Sequence, residues 1–143
     1  MHALVFAYGT LKEGFPNFRI NKGNRVPGEF RTVQRFPLYL VGARRTPWLV
    51  NSPGEGEQVL GQVFEVDDAA LLRMDRLERV HAPDGYRRLT IEVASEGEPG
   101  VVPFAVFAYV KQPEQLGEET ICSGPLAEYT LDHATLYIAP RDA

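Results

Sequence analysis

Residues 58–79 read QVLGQVFEVDDAALLRMDRLER, and the change of pattern inside this stretch decides the fold class. Gln58 to Val66 has the β-branched and aromatic content of a short strand. Asp67 to Arg79 follows at once as the one convincing helix. Asp67 or Asp68 caps its start, acidic charge there suits the helix dipole, and Ala69, Ala70, Leu71, Leu72 and Met74 are good helix formers. Upstream, Ala3 to Tyr8 is a short apolar run ended by Gly9, and Gly28 to Gln34, Pro37 to Val41 and Pro47 to Val50 also lean towards β. Between the first two, Lys12 to Asn24 is a long loop with room for one helical turn. Downstream, Tyr86 to Ala94 alternates with Leu89, Ile91 and Val93 on one face. It pairs with the apolar strand Val102 to Val110 through a turn at Gly97 to Gly100. Many short strands around one helix predict an α+β protein: a closed or nearly closed β structure with a helix packed on it. Strand counting alone does not separate a barrel from a sandwich.

The chain has 143 residues, one domain's worth, with no linker or repeat dividing it. From about Gln112 it becomes acidic and turn-rich, which predicts a loosely held C-terminal tail. A hydrophobic fraction of 44% against 24% charged residues excludes a disordered chain. The net charge of −4 and the absence of a basic patch argue against a nucleic-acid partner. No apolar run approaches the ~20 residues of a membrane span, and MHALVFAYGT is too short an apolar run for a signal peptide. The single Cys122 allows no internal disulfide and fits a reducing compartment, so the expected location is the cytoplasm. His2, His81 and His133 are too scattered for a metal site, and neither metal nor cofactor is expected.

Two features carry chemistry. On a helical wheel of about 100° per residue, Leu71, Met74 and Glu78 share one narrow arc, which places a carboxylate inside the apolar stripe. A carboxyl there must be hydrogen-bonded, paired, or pushed towards its neutral form, and the last condition is what acid–base chemistry near neutral pH needs. The plainer alternative is that Glu78 swings into solvent or pairs with Arg87 or Arg88. The second feature is Tyr8-Gly9-Thr10-Leu11, directly after the first strand. Successive N–H groups at such a glycine turn can cradle a carboxylate or an oxyanion, although a Gly-Thr turn is often only a turn.

Together with its flanks, VFAYGTLKEGFPN resembles the N-terminal signature of the γ-glutamylcyclotransferase-like superfamily, a YGTL(K/R)xG segment ending the first strand. TPWLVNSPGEG at Thr46 to Gly56, GQVFEVDDAALLRMDRLE at Gly61 to Glu78 and GYRR at Gly85 to Arg88 extend the resemblance, in order, towards γ-glutamylamine cyclotransferases and their bacterial relatives. The resemblance implies a small mixed β-barrel with flanking helices and a cavity at one end. It implies an enzyme of lyase or acyltransferase type, in which Tyr8, Gly9, Thr10 and Leu11 bind a γ-glutamyl substrate and Glu78 is the acid–base residue. Tyr86 is a candidate for lining the pocket, Trp48 either lines it or, as the commoner role of such a residue, fills the core, and Tyr109 and Tyr137 are candidates for the rim. A non-catalytic binding or interaction module on the same scaffold is the main alternative. A hydrolase built on Cys122 and His133 is a second. The leaving amine and the oligomeric state are open at this stage.

Overall fold

A computed structural model describes residues 2–97 and 100–138. Its elements, in chain order, are β1 (His2–Ala7), β2 (Asn24–Arg25), β3 (Phe30–Thr32), β4 (Leu38–Val41), β5 (Thr46–Leu49) and β6 (Leu60–Asp67). Then come α1 (Asp68–Leu77), β7 (Arg87–Ser95), β8 (Phe104–Val110), β9 (Ile121–Ser123) and the short α2 (Leu131–Ala134). A 3₁₀ turn at Phe18–Ile20 supplies the helical turn expected in the loop after β1. The expected hairpin turn at Gly97 to Gly100 lies partly outside the described residues.

The main sheet runs β1-β8-β7-β3-β6-β2, and β1 also pairs with β6, so the sheet closes on itself. That closure resolves the choice left open by strand counting: the chain forms a barrel. It is mixed because β1 and β8 run parallel, with Val5 opposite Phe107, whereas the β1–β6 and β7–β8 ladders are antiparallel. A second antiparallel sheet, β5-β4-β9, lies beside it.

Side-chain alternation explains why β1 reads as an unbroken apolar run. Phe6, with Leu4, points into the barrel alongside Val63, Val93, Val106 and Ala108. Val5 and Ala7 point the other way and pack with Phe64, Val66, Ala70 and Met74, beneath α1. A strand covered on both faces has no polar face to show. Fully burying the Met74 side chain, which has 0% exposure, contributes about 1.5–3 kcal/mol to holding α1 on the barrel.

α1 starts where the β6 ladder ends. Asp67, still paired with His2, turns its carboxylate to accept the N–H of Ala70 at 2.7 Å. Asp67→Ala removes this cap, and urea unfolding should show a loss of about 1 kcal/mol, with Asp67→Asn close to wild type.

The expected loose tail is not what the structure shows through Ile138. β9 pairs with β4, Glu128 bridges to Leu60, and Tyr129 is fully buried against Phe15. The Ile138 N–H donates to the Arg44 carbonyl at 3.0 Å. The apolar anchors are spaced singly through a polar segment, so its composition hides them. Among the described residues, no helix is long and apolar enough to cross a membrane.

Candidate active site

A cavity of about 1040 Å³ opens at the end of the barrel where β1, α1 and β8 converge. Tyr8, Gly9, Thr10, Leu11, Glu78 and Tyr86 all line it, so the two sequence features meet in one place.

Glu78 is held there by the way α1 ends. The helix closes at Leu77, and Glu78 is the half-helical residue after it. The Arg79 N–H donates to the Arg76 carbonyl at 3.2 Å and the Val80 N–H to the Asp75 carbonyl at 3.2 Å, the paired bonds of a Schellman stop. That stop needs a left-handed residue, and Arg79 provides it at φ 53° where glycine is usual. The chain then loops back, and the Tyr86 N–H donates to the Glu78 carbonyl at 2.9 Å. This return packs so tightly that a Cβ on Gly85 would lie 1.8 Å from the Arg79 carbonyl oxygen. Three side chains tie the loop from outside. Arg87 donates to the Ala82 carbonyl at 3.0 Å, Gln115 to Gly85 at 2.9 Å and Lys111 to Asp84 at 2.6 Å.

The Glu78 carboxyl has no hydrogen-bond or ion-pair partner among the described residues, so it does not pair with Arg87 or Arg88, and what exposure the half-buried residue keeps is towards the cavity it lines. Arg88 is taken by Asp75 at 2.8 Å, and Arg87 is spent on loop carbonyls. Glu78 is enclosed by protein except towards the cavity, and desolvation raises its pKa to about 7. The nearby Lys111 ammonium opposes this rise, and the carbonyl end of α1 disfavours the anion further. Lys111 lies 4.3 Å from the centre of the Trp48 ring and 4.6 Å from that of Tyr86, and burial depresses its own pKa. Lys111→Met removes a cation that favours the Glu78 carboxylate. The acidic limb of a pH–rate profile governed by Glu78 should therefore move to higher pH than in wild type.

The glycine turn is equally fixed. Gly9 passes beneath the Pro47 ring, where an added Cβ would come within 2.9 Å of Cγ. Asn17 latches the turn by donating its backbone N–H to the Thr10 carbonyl at 2.8 Å and its side-chain amide to Thr10 Oγ1 at 2.9 Å. Among the described residues, nothing accepts a hydrogen bond from the N–H groups of Gly9, Thr10 or Leu11. Three donors without acceptors at a cavity wall are chemically able to hold negatively charged oxygen.

The Tyr8 hydroxyl is otherwise engaged: it donates to the Tyr109 carbonyl at 2.6 Å and accepts from the Leu49 N–H at 3.4 Å. Burial, reinforced by the Glu78 charge, pushes its pKa far above the usual range, so it stays protonated and structural. Tyr86 likewise donates its hydroxyl, to the Pro47 carbonyl at 2.8 Å, while its body lines the cavity. Trp48 is not part of the cavity wall. Along β5 it is Thr46 and Pro47 that reach the cavity, whereas Trp48 packs with Val41 and Val50 beneath Lys111. Tyr109 and Tyr137 both line the cavity. Tyr109 donates to Asp75 at 2.7 Å, and Tyr137 receives the Asn17 amide at 3.4 Å. Asn17, Lys111, Arg44, Arg73 and Arg76 were not singled out in the sequence. Of these, Asn17 alone left a trace there, as part of the segment that follows the glycine turn. The Cys122 thiol rests on the Gly42 carbonyl at 3.4 Å, and His133 Nδ1 accepts the Thr130 N–H at 2.9 Å, so the two do not form a nucleophile–base pair.

Fold and site together define a small mixed barrel whose cavity sets one unpaired carboxyl beside a backbone cradle. The profile of the γ-glutamyl cyclotransferase, AIG2-like family matches residues 5–128, and the chain belongs to that family. γ-Glutamylaminecyclotransferase B of Danio rerio is 37% identical over 148 aligned residues, covering 97% of this chain and 75% of that protein. The Homo sapiens γ-glutamylaminecyclotransferase is 37% identical over 119 residues, covering 76% of each chain. That of Bos taurus is 39% identical over 112 residues, covering 75% of this chain and 64% of the bovine protein. The crystal structure of an AIG2-like protein from Mus musculus superimposes with a TM-score of 0.77 at 31% identity, covering 99% of this chain and 98% of that one.

Proposed function

We propose that this protein converts a γ-glutamyl amine or γ-glutamyl amino acid to 5-oxoproline and the free amine, with Glu78 as the acid–base group. The γ-glutamyl cyclotransferase class comes with the family. The observation that carries the residue assignment is a carboxyl, unpaired among the described residues, on the same cavity wall as three N–H groups lacking acceptors, and the desolvation that raises its pKa supports it.

The chemistry is an intramolecular acyl transfer. The substrate's α-amine attacks its own γ-carbonyl, so no protein nucleophile is required, and binding the glutamyl chain in a folded conformation supplies proximity. As the N–C bond forms, the Glu78 carboxylate takes the amine's proton. The tetrahedral oxyanion or the α-carboxylate of the same glutamyl unit is held by the Gly9–Leu11 N–H groups. Glu78 then returns the proton to the amide nitrogen as the C–N bond breaks, and the carboxylate is regenerated. A pKa near 7 suits one group to both steps. An exposed, unpaired Cys122 fits a reducing, cytoplasmic setting.

Incubation with γ-glutamyl-ε-lysine, γ-glutamyl amino acids and glutathione, with 5-oxoproline measured by mass spectrometry, tests this reading. Product from at least one γ-glutamyl amide supports it. Binding of these ligands without any product would place the chain among non-catalytic modules.

A further inference from the structure

α1 rests on the barrel through apolar side chains, Ala70 and Met74 above all, and through a polar joint at its last turn. There the Asp75 carboxylate accepts the Tyr109 hydroxyl on Oδ1 at 2.7 Å and Arg88 Nη1 on Oδ2 at 2.8 Å. Arg88 and Tyr109 stand directly opposite each other in the β7–β8 ladder, so both side chains leave one face of the sheet and close on the same carboxylate. The Arg88 guanidinium also lies 4.7 Å from the centre of the Phe107 ring.

Stability alone does not account for such a joint. A buried ion pair is often no more stabilising than apolar side chains of the same volume, because desolvation offsets the attraction. What it adds is direction. Apolar packing is non-directional, whereas charge-assisted hydrogen bonds fix both angle and distance. Only 15% of the Asp75 side chain and 3% of Tyr109 are exposed, so water does not compete freely for these bonds.

The joint reaches both halves of the site. The Asp75 carbonyl accepts the Val80 N–H that closes the Schellman stop, so the anchored residue carries the turn on which Glu78 stands. The Tyr109 carbonyl accepts the Tyr8 hydroxyl at 2.6 Å, and Tyr8 immediately precedes the Gly9–Leu11 donors. A single residue of β8 is thus bonded to the carboxyl-bearing helix by its side chain and to the glycine turn by its backbone.

Resting on the cyclotransferase reading above, we propose that Asp75 and Tyr109 are positioning residues whose hydrogen bond, backed by Arg88, sets Glu78 against the Gly9–Leu11 N–H groups. The Tyr109 proton is committed to Asp75, so the joint acts through Glu78 and not on the substrate.

Tyr109→Phe tests this directly, since it removes the hydroxyl, keeps the ring and leaves the backbone bond to Tyr8. With γ-glutamyl-ε-lysine, kcat should fall about tenfold at a KM within about twofold of wild type, part of the ~10²-fold cost of a 1 Å misplacement. Asp75→Ala should lose at least as much, and the double variant should be no slower than Asp75→Ala, because both changes break the same bond. Urea unfolding of each variant fixes the folded fraction at the assay temperature. An unchanged kcat in Tyr109→Phe, or a fall that disappears once rates are referred to folded protein, would overturn the proposal. So would additive losses in the double variant, or a raised KM at intact kcat, which would make the hydroxyl a substrate contact. If wild type releases no 5-oxoproline from any γ-glutamyl amide, the cyclotransferase reading fails. NMR titration of the Glu78 carboxyl then decides the joint without substrate. A midpoint that moves in Tyr109→Phe towards the ordinary carboxylate range shows Glu78 released from its desolvated position and upholds the joint, and an unmoved midpoint overturns it.

Discussion

Glu78→Gln is expected to lower the rate of 5-oxoproline release by a factor of about 10²–10⁴, the contribution of a positioned acid–base group. The amide keeps the size and shape of the side chain but can neither accept the amine's proton nor return it. Because the same carboxyl is strained by burial, the variant should also change stability, and in the opposite sense. The folded protein holds Glu78 protonated up to a pKa of about 7, against 4.5 for the free side chain. Between those values the native state binds more protons than the unfolded chain, so this group's contribution falls as pH rises through that window. Glu78→Gln should therefore match wild type in urea stability near pH 4 and exceed it near pH 8. Loss of turnover together with a gain in stability above neutrality is the signature of a functional, desolvated carboxyl. A variant that retained the wild-type rate would remove Glu78 from the chemistry.

Gly85→Ala is expected to be the most damaging small substitution near the site. Its Cβ would meet the Arg79 carbonyl oxygen at 1.8 Å and carbon at 2.6 Å, both backbone atoms of the turn that follows Glu78. Neither can move without opening the Schellman stop or breaking the bond from the Tyr86 N–H to the Glu78 carbonyl. Overpacking of this kind costs about 1–3 kcal/mol, and a displacement of about 1 Å at a reacting group costs about 10²-fold in rate. Both should appear, as a lower urea midpoint and as a fall in kcat measured well below the unfolding temperature. A variant with unchanged stability and rate would mean that the loop from Arg79 to Tyr86 does not set the position of Glu78.

Local signals in the sequence were enough for the elements and not for their closure. Strand β6 and helix α1 stand within a residue or two of where Gln58–Val66 and Asp67–Arg79 placed them, because the Asp67 cap and the switch in apolar period act over a few residues. The barrel depends instead on β1 finding both β6 and β8, partners 55–65 and 102 residues away along the chain. The wheel put Glu78 on the right face, but its true support is a left-handed turn, and Arg79 at that turn gives no glycine to betray it. Trp48 could be placed in the core or at the cavity but not assigned, because the β5 side-chain directions are not readable from four residues that include Pro47; the structure puts it in the core. The segment after Gln112 misled for a related reason. Tyr129 is a lone aromatic in polar surroundings, yet it fills a gap against Phe15 while its carbonyl receives Lys12 Nζ. Lys111 and the cavity arginines are polar residues on elements set by distant pairing, so nothing local marks their convergence.

The pH dependence of 5-oxoproline release from γ-glutamyl-ε-lysine tests the central claim most directly. A free Glu78 with a pKa of about 7 predicts that kcat/KM rises with pH along an acidic limb centred near that value. The limb should shift upward in Lys111→Met and vanish with the activity in Glu78→Gln. A profile that stays flat down to about pH 5, the ordinary carboxylate range, would contradict the account.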